Sequence, residues 1–209
     1  MTRQIPLRLP GLPIHEHQQL EAGTQPDPFS VLGKHHVGEN CFVRAFLPGA
    51  TYVELVTGEG EARRTTAMVD HGGGLFEALC PAEAHYRLRA AWPGGISEAA
   101  DPYSFGLLLS EDDIYLFAEG RHFDLATRFG ANLRTIDGID GVLFAVWAPN
   151  AGSVAVVGEF NGWDQRRLPM RRRLGPGIWE LFVPGLTAGT IYKYAITTPS
   201  GERLPWKAD

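Results

Sequence analysis

The sequence predicts an all-β fold: two tandem immunoglobulin-like β-sandwiches joined by a short, partly helical linker. Three observations lead there. The 209 residues include 25 glycines and 15 prolines, which cut the chain into short apolar runs bounded by turns. Those runs alternate apolar with polar residues, the period of a strand that sets one face on a core and one in solvent. The chain also repeats itself at a spacing near one hundred residues, too long for a solenoid unit and the size of one sandwich.

The repeat is read directly. Val43 to Val56, VRAFLPGATYVELV, aligns with Phe144 to Val157, FAVWAPNAGSVAVV, at an offset of 101 residues. Pro48 meets Pro149, Ala50 meets Ala151, Val53 meets Val154 and Val56 meets Val157. Downstream, Gly74-Leu75-Phe76-Glu77 meets Gly177-Ile178-Trp179-Glu180, Tyr86 meets Tyr192, and Asp101 meets Asp209. The domain boundaries that follow are a first module over 1–109 (1–25 being a leader with a short helix), a linker over 110–132 and a second module over 133–209.

Taken in order, the elements begin with that short helix, Ile14 to Glu21. Strands of the first module are expected at Cys41 to Phe46, Tyr52 to Val56, Gly74 to Leu79 and His85 to Trp92. Ser110 followed by Glu111, Asp112 and Asp113 is a helix N-terminus. Phe123, Ala126 and Thr127 lie at helical spacing, with Gly130 as a C-cap. The linker therefore reads as one or two helical turns packed on the second module. There, strands are expected at Val142 to Trp147, Ser153 to Val157, Ile178 to Val183 and Thr190 to Thr197. Gly175-Pro176-Gly177 and Pro199-Ser200-Gly201 are turns, and a last strand starts at Leu204 to Trp206.

Composition excludes several functions. Hydrophobic residues are 44% and charged residues 21%, a soluble globular mix, and the net charge of −5 argues against nucleic acid as a partner. Met1 to Leu12 has no unbroken apolar core, and no run is long enough to span a bilayer, so the expected location is cytoplasmic without a membrane partner. Cys41 and Cys80 read as small buried hydrophobes. No metal site is expected: His15 and His17 are spaced i, i+2, His36 would point away from His35 on a strand, and His35 reads as a turn residue bonded to backbone. Gly72-Gly73-Gly74 is a hairpin tip, not a phosphate loop, and no cofactor is implied. Asp112-Asp113 and Asp137/Asp140 are explained by helix capping and turns, which leaves no catalytic constellation. The arginines at 166, 167 and 171–173 read as a solvated loop and strand edge.

The linker and second module also carry a family resemblance. Tyr115-Leu116-Phe117-Ala118-Glu119-Gly120-Arg121-His122 and Arg128-Phe129-Gly130-Ala131 resemble the entry segment of bacterial glycogen (1,4-α-glucan) branching enzymes. Phe144-Ala145-Val146-Trp147-Ala148-Pro149-Asn150-Ala151 and Val156-Val157-Gly158-Glu159-Phe160-Asn161-Gly162-Trp163-Asp164 resemble carbohydrate-binding module family 48. Asp27-Pro28-Phe29-Ser30-Val31-Leu32-Gly33-Lys34-His35 is similar to the opening of the extra N-terminal module of those enzymes. The resemblance implies a non-catalytic segment that stops before a catalytic barrel. The family cleaves an α-1,4 linkage and transfers the segment to a 6-hydroxyl, a retaining displacement between two carboxylates. It also implies two partners, α-1,4-glucan or glycogen and the barrel of the full-length enzyme.

Trp163 is the leading sugar-binding candidate, because it sits in a glycine-bearing loop where a core tryptophan is less expected. Asn161 and Asp164 suit hydroxyl hydrogen bonds. The competing reading makes Trp163 a structural corner against Leu168 or Pro169, with Asn161 and Asp164 in Asx turns. Lys193 falls where the resemblance places a sugar-contacting lysine, while Arg203 stands near the position of a tryptophan of those modules. Trp206 is the nearby substitute or else contacts the barrel. Trp92, Trp147 and Trp179 read as core. Two functions result: modules that bind and orient glucan, or modules that only pack on the barrel.

Overall fold

The computed structural model describes residues 12–209 apart from Glu39, Glu83, Leu174 and Pro176. The reading of Met1 to Leu12, and Pro176 of an expected turn, fall largely or wholly outside that set. The described residues are mostly β and form two sandwich-like domains with two short α-helices.

The first begins with α1 (Ile14–Ala22), ended by Gly23 in the left-handed region. Eight strands follow: β1 (Gly33–Val37), β2 (Asn40–Phe46), β3 (Tyr52–Thr57), β4 (Arg64–Ala67), β5 (Val69–Asp70), β6 (Leu75–Leu79), β7 (Tyr86–Trp92) and β8 (Gly95–Ala100). They make two antiparallel sheets, β1-β2-β6-β5 and β4-β3-β7-β8. Val43, Ala45, Val53, Leu55, Phe76 and Leu88 fill the space between them. Helix α2 (Glu111–Ala118) lies between the domains in sequence. The second domain has β9 (Gly130–Ile136), β10 (Ile139–Trp147), β11 (Ser153–Gly158), β12 (Arg171–Arg172), β13 (Ile178–Pro184) and β14 (Tyr192–Thr197). Sheet β12-β13-β10-β9 faces the pair β11-β14, and bridges from Thr197 to Arg203 and Tyr194 to Lys207 extend that pair by one more edge.

The repeat seen in sequence recurs in detail. Gly74 and Gly177 both have positive φ, 95° and 80°. A Cβ at either would lie 2.6 Å from Pro48 Cα or 2.3 Å from Pro149 Cα, so only glycine fits both turns. Tyr86 donates to Asp101 and Tyr192 donates to Asp209, each at 2.6 Å. Glu77 and Glu180 are both buried on equivalent strands, each paired with arginine. Cys80 N donates to Cys41 O at 2.9 Å, which makes the two free, buried cysteines cross-strand neighbours.

Five expectations are corrected, the last of them the arginine cluster. Alternation fails on β10 and β13, which are buried on both faces over most of their length. One face meets the sandwich core, and Leu109, Ile114 and Phe105 cover the other. Trp147 is not core but 57% exposed. Register explains this: Val146 pairs with Trp179 on the inner face, whereas Trp147 pairs with Ile178 on the linker side, where the Phe117 ring meets it edge-on. Gly130 is not a helix C-cap but the first residue of β9, and the preceding turn, Leu125–Thr127, is a 3₁₀ helix. His35 does bond backbone, Leu32 O at 3.0 Å, but from strand β1 and not from a turn.

The arginine cluster is the largest departure. Arg167 donates to Pro48 O at 2.8 Å and lies 4.3 Å over the Trp92 ring. Arg171 lies 3.8 Å over Phe29 and donates to Gly106 O. These cation–π contacts join the domains, as does one apolar cluster that runs from Val31, Leu32, Phe46 and Tyr103 into Leu168, Met170 and Trp179. Arg173 and Glu180 are both buried, and Glu180 accepts the backbone N–H groups of Leu108 and Leu109 at 3.3 and 2.9 Å. That carboxylate pins the segment leading into α2, whose start carries a full capping box between Ser110 and Asp113.

Candidate functional site

The outward face of the β11–β14 pair is unusually apolar. Ala155 pairs with Ala195 and Val157 with Lys193, and Ala155, Val157 and Ala195 are buried although they point away from the core. Trp163 covers them.

The loop that delivers Trp163 is built by its own side chains. The chain leaves β11 at Gly158, where a Cβ would strike the Phe160 ring at 2.3 Å. A 3₁₀ turn, Glu159–Asn161, follows, then Gly162 and Trp163, both left-handed with φ of 65° and 58°. A tryptophan at positive φ is a strained outlier, and such strain gathers at functional sites. Asn161 holds the turn closed: Oδ1 accepts from Gly158 N at 3.0 Å, and Nδ2 donates to Val156 O at 2.8 Å. Asp164 accepts from Arg166 N at 3.0 Å and from the Arg166 guanidinium at 2.7 Å. Burial pushes the Asp164 carboxyl up, but those bonds outweigh it, and it ends below the usual range. Both polar candidates therefore spend their groups on the loop itself.

Trp206 completes the face. Its ring stacks on Trp163 with centroids 5.1 Å apart and planes 13° from parallel, the offset geometry aromatic pairs prefer. Trp206 is 44% exposed, and Lys193 is exposed beside it on the same sheet face. The structure thus gathers Trp163, Trp206 and Lys193, while Asn161 and Asp164 form the scaffold beneath. Arg203 donates to Ala22 O of the first domain and takes no part in this face. A flat apolar surface with a neighbouring ammonium suits a pyranose ring, whose carbons face one way and whose hydroxyls lie at the rim. The stack itself had no sequence signal beyond two tryptophans in two neighbouring turns.

A second concavity, about 1020 Å³, lies between the domains and is lined by Lys34, Tyr86, Arg87, Phe105 and Asp137 among others. The Lys34 ammonium is already bonded to the carbonyls of Ala82 and Ala84. Below it the buried Asp101 is pushed up to about 6 by desolvation, against the hydrogen bonds it accepts from Tyr86 and Tyr103 N. Among the described residues no group of three or more His, Cys, Asp and Glu could hold a metal ion. No helix among them is long and apolar enough to cross a membrane.

Comparison with known proteins identifies the two domains. Residues 14–103 match the N-terminal domain of the alpha-1,4-glucan branching enzyme GlgB, and residues 128–209 match carbohydrate-binding module 48, the isoamylase N-terminal domain. The chain belongs to the N-terminal region of the glycogen branching enzymes. It is 50% identical over 210 residues to the 1,4-alpha-glucan branching enzyme of Cupriavidus necator, covering 96% of this chain and 28% of that one. The Pseudomonas aeruginosa enzyme is 52% identical, covering 93% of this chain and 27% of its own length. The chain therefore spans about a quarter of these branching enzymes. Pullulanase PulA from Klebsiella pneumoniae overlaps 83% of the chain at 20% identity with a TM-score of 0.31, too slight a likeness to bear on function.

Proposed function

We propose that this chain is the non-catalytic glucan-binding and orienting segment of a 1,4-α-glucan branching enzyme, acting in glycogen synthesis in the cytoplasm. Its contact with α-1,4-glucan is the outer face of the second domain. Trp206 presents its ring to the sugar, Trp163 backs it, and Lys193 donates to a hydroxyl. The observation that carries this reading is the strained Trp163, held at φ 58° and stacked on a half-exposed Trp206. A protein core needs neither feature. Catalysis belongs to the region that the longer branching-enzyme relatives carry in addition.

The test is affinity electrophoresis through gels with and without glycogen. The wild-type chain is expected to be retarded by glycogen and Trp206→Ala to run freely. Equal mobility of the wild type in both gels sinks the reading.

A second reading has its own observation. Phe123 is 97% exposed, and Tyr115 and Trp147 are 59% and 57% exposed around α2. An apolar surface of this kind marks a docking face, and the catalytic region of the full-length enzyme is the partner proposed for it. If glycogen does not retard the chain, packing on that region is the function left.

A further inference from the structure

A left-handed tryptophan persists only where the contacts around it over-determine its backbone. For Trp163 the second domain supplies the contacts on the entry side. Asn161 bonds to Gly158 N and Val156 O, and Trp163 N donates to Gly158 O at 2.8 Å. On the exit side the chain does not rejoin β11 until Leu168, whose carbonyl accepts from Val156 N at 3.1 Å. Between them, Asp164 and Arg166 bond each other, and the stretch from Gln165 to Arg167 rests on the first domain.

Two contacts make that support. Gly23, at the end of α1, comes so close that a Cβ there would lie 3.2 Å from Gln165 Nε2 and 3.4 Å from Arg166 Cγ. Ser153 Oγ and Arg203 fix this end of α1 by donating to Gly23 O and Ala22 O, each at 3.2 Å. The second contact is Arg167. Its backbone N–H donates to Asp164 O at 3.2 Å, which closes the exit turn. Its guanidinium donates to Pro48 O at 2.8 Å and lies 4.3 Å over the Trp92 ring. A planar guanidinium can bond at its edge and stack on its face at once, which a point charge cannot. Trp92 is anchored in turn by its Nε1–H, which donates to Ser97 Oγ at 2.9 Å. The backbone just beyond Trp163 is therefore tied to the other domain.

We propose that Arg167 is a positioning residue for glucan binding: gripped by Pro48 and Trp92 of the first domain, it holds the exit of the loop so that Trp163 stays left-handed and stacked on Trp206. This rests on the glucan-binding reading above and deepens it, since it gives the first domain a share in a site whose sugar contacts all lie in the second. Without the grip Trp163 relaxes toward ordinary φ and the stack loosens. Only molecules that keep the stack then bind, and the apparent affinity falls by that fraction.

The experiment is calorimetric titration of the whole chain with maltoheptaose, with indole N–H resonances recorded on the same folded samples before sugar is added. Arg167→Ala and Trp92→Ala are each expected to weaken binding about three- to tenfold and to shift the Trp163 and Trp206 resonances of the sugar-free protein. Trp92→Phe keeps a ring under the guanidinium and is expected to bind within about twofold of the wild type. The two alanine variants act from opposite sides of one contact, so if one fails to fold the other remains the test. Binding within about twofold of the wild type in the alanine variants overturns this proposal and leaves the glucan-binding reading standing. Weaker binding with the sugar-free Trp163 and Trp206 resonances unmoved also overturns it, because the effect then does not pass through the stack. Absence of binding by the wild type overturns both.

Discussion

Glu180→Gln tests how the linker is held. Glu180 is wholly buried, 3.3 Å from Arg173 and 3.5 Å from Arg171, and it accepts the N–H groups of Leu108 and Leu109. Glutamine keeps the shape and one acceptor, but it turns an amide N–H₂ toward groups that are all donors. Removing one partner of a buried ion pair costs about 3–5 kcal/mol. Arg173 would keep the Leu109 carbonyl and the exposed Glu111, which places the expected loss near the lower end, about 3 kcal/mol. For a chain of this length that is a fall of about 6–12 °C in the unfolding midpoint. The assay is thermal unfolding followed by circular dichroism, paired with limited trypsin digestion. Release of Leu108 and Leu109 should speed cleavage after Arg121 and Arg128. Glu77→Gln is the control: it breaks the equivalent pair with Arg44 in the first domain, where no linker amide is bound, and should destabilise without that cleavage. A loss in Glu180→Gln no larger than a surface substitution, about 0.5 kcal/mol, refutes the reasoning.

Gly177→Ala should cost more than about 2 kcal/mol, since φ is 80° and the new Cβ meets Pro149 Cα, whereas Gly189→Ala, with φ 86° but open space around it, should cost the backbone strain alone, about 1–2 kcal/mol; urea unfolding compares them. Asp101 titrates near 6 in the fold, above its unfolded value, so the native chain binds its proton more tightly. This group's contribution is therefore greatest below pH 4 and declines as pH rises through 6, by up to about 3 kcal/mol; Asp101→Asn should flatten that part of the stability profile. Asp113 runs the other way: partial burial pushes it up, but bonds from His122 and Ser110 hold it near 2. Its contribution is present above pH 4 and lost as pH falls toward 2, a decline Asp113→Asn should lack. Phe123→Ser should leave the midpoint unchanged and reduce any self-association seen by analytical ultracentrifugation.

Much of the fold was legible because it is written twice. Pro48 with Gly74 and Pro149 with Gly177 mark the same turn in both domains, and aligning them placed eight strands within a few residues. Strands β1, β4, β5, β8, β9 and β12 were not legible: β5 and β12 are two residues long, and Gly33–Val37, Arg64–Ala67 and Gly95–Ala100 offer little apolar alternation and are held by pairing to their neighbours. Trp147 and Trp179 have the same local pattern; only their register, one residue apart across the sheet, decides which is core. The interface arginines misled because a charged run reads as solvated until the rings of Phe29 and Trp92 are known to lie beneath it. At the site, residue types named Trp163 and Trp206, but that they stack, and that Asn161 is consumed by its own turn, depend on a left-handed backbone that sequence alone does not announce.

The central claim is that glucan lies on the Trp163–Trp206 face, and the chain's five tryptophans make it directly observable. Indole N–H resonances followed by NMR during titration with maltoheptaose report each ring separately. The account predicts that Trp206 and Trp163 shift together with one saturation curve while Trp92, Trp147 and Trp179 stay in place. Shifts at Trp147 without Trp206, or no shift in any of the five, would contradict it.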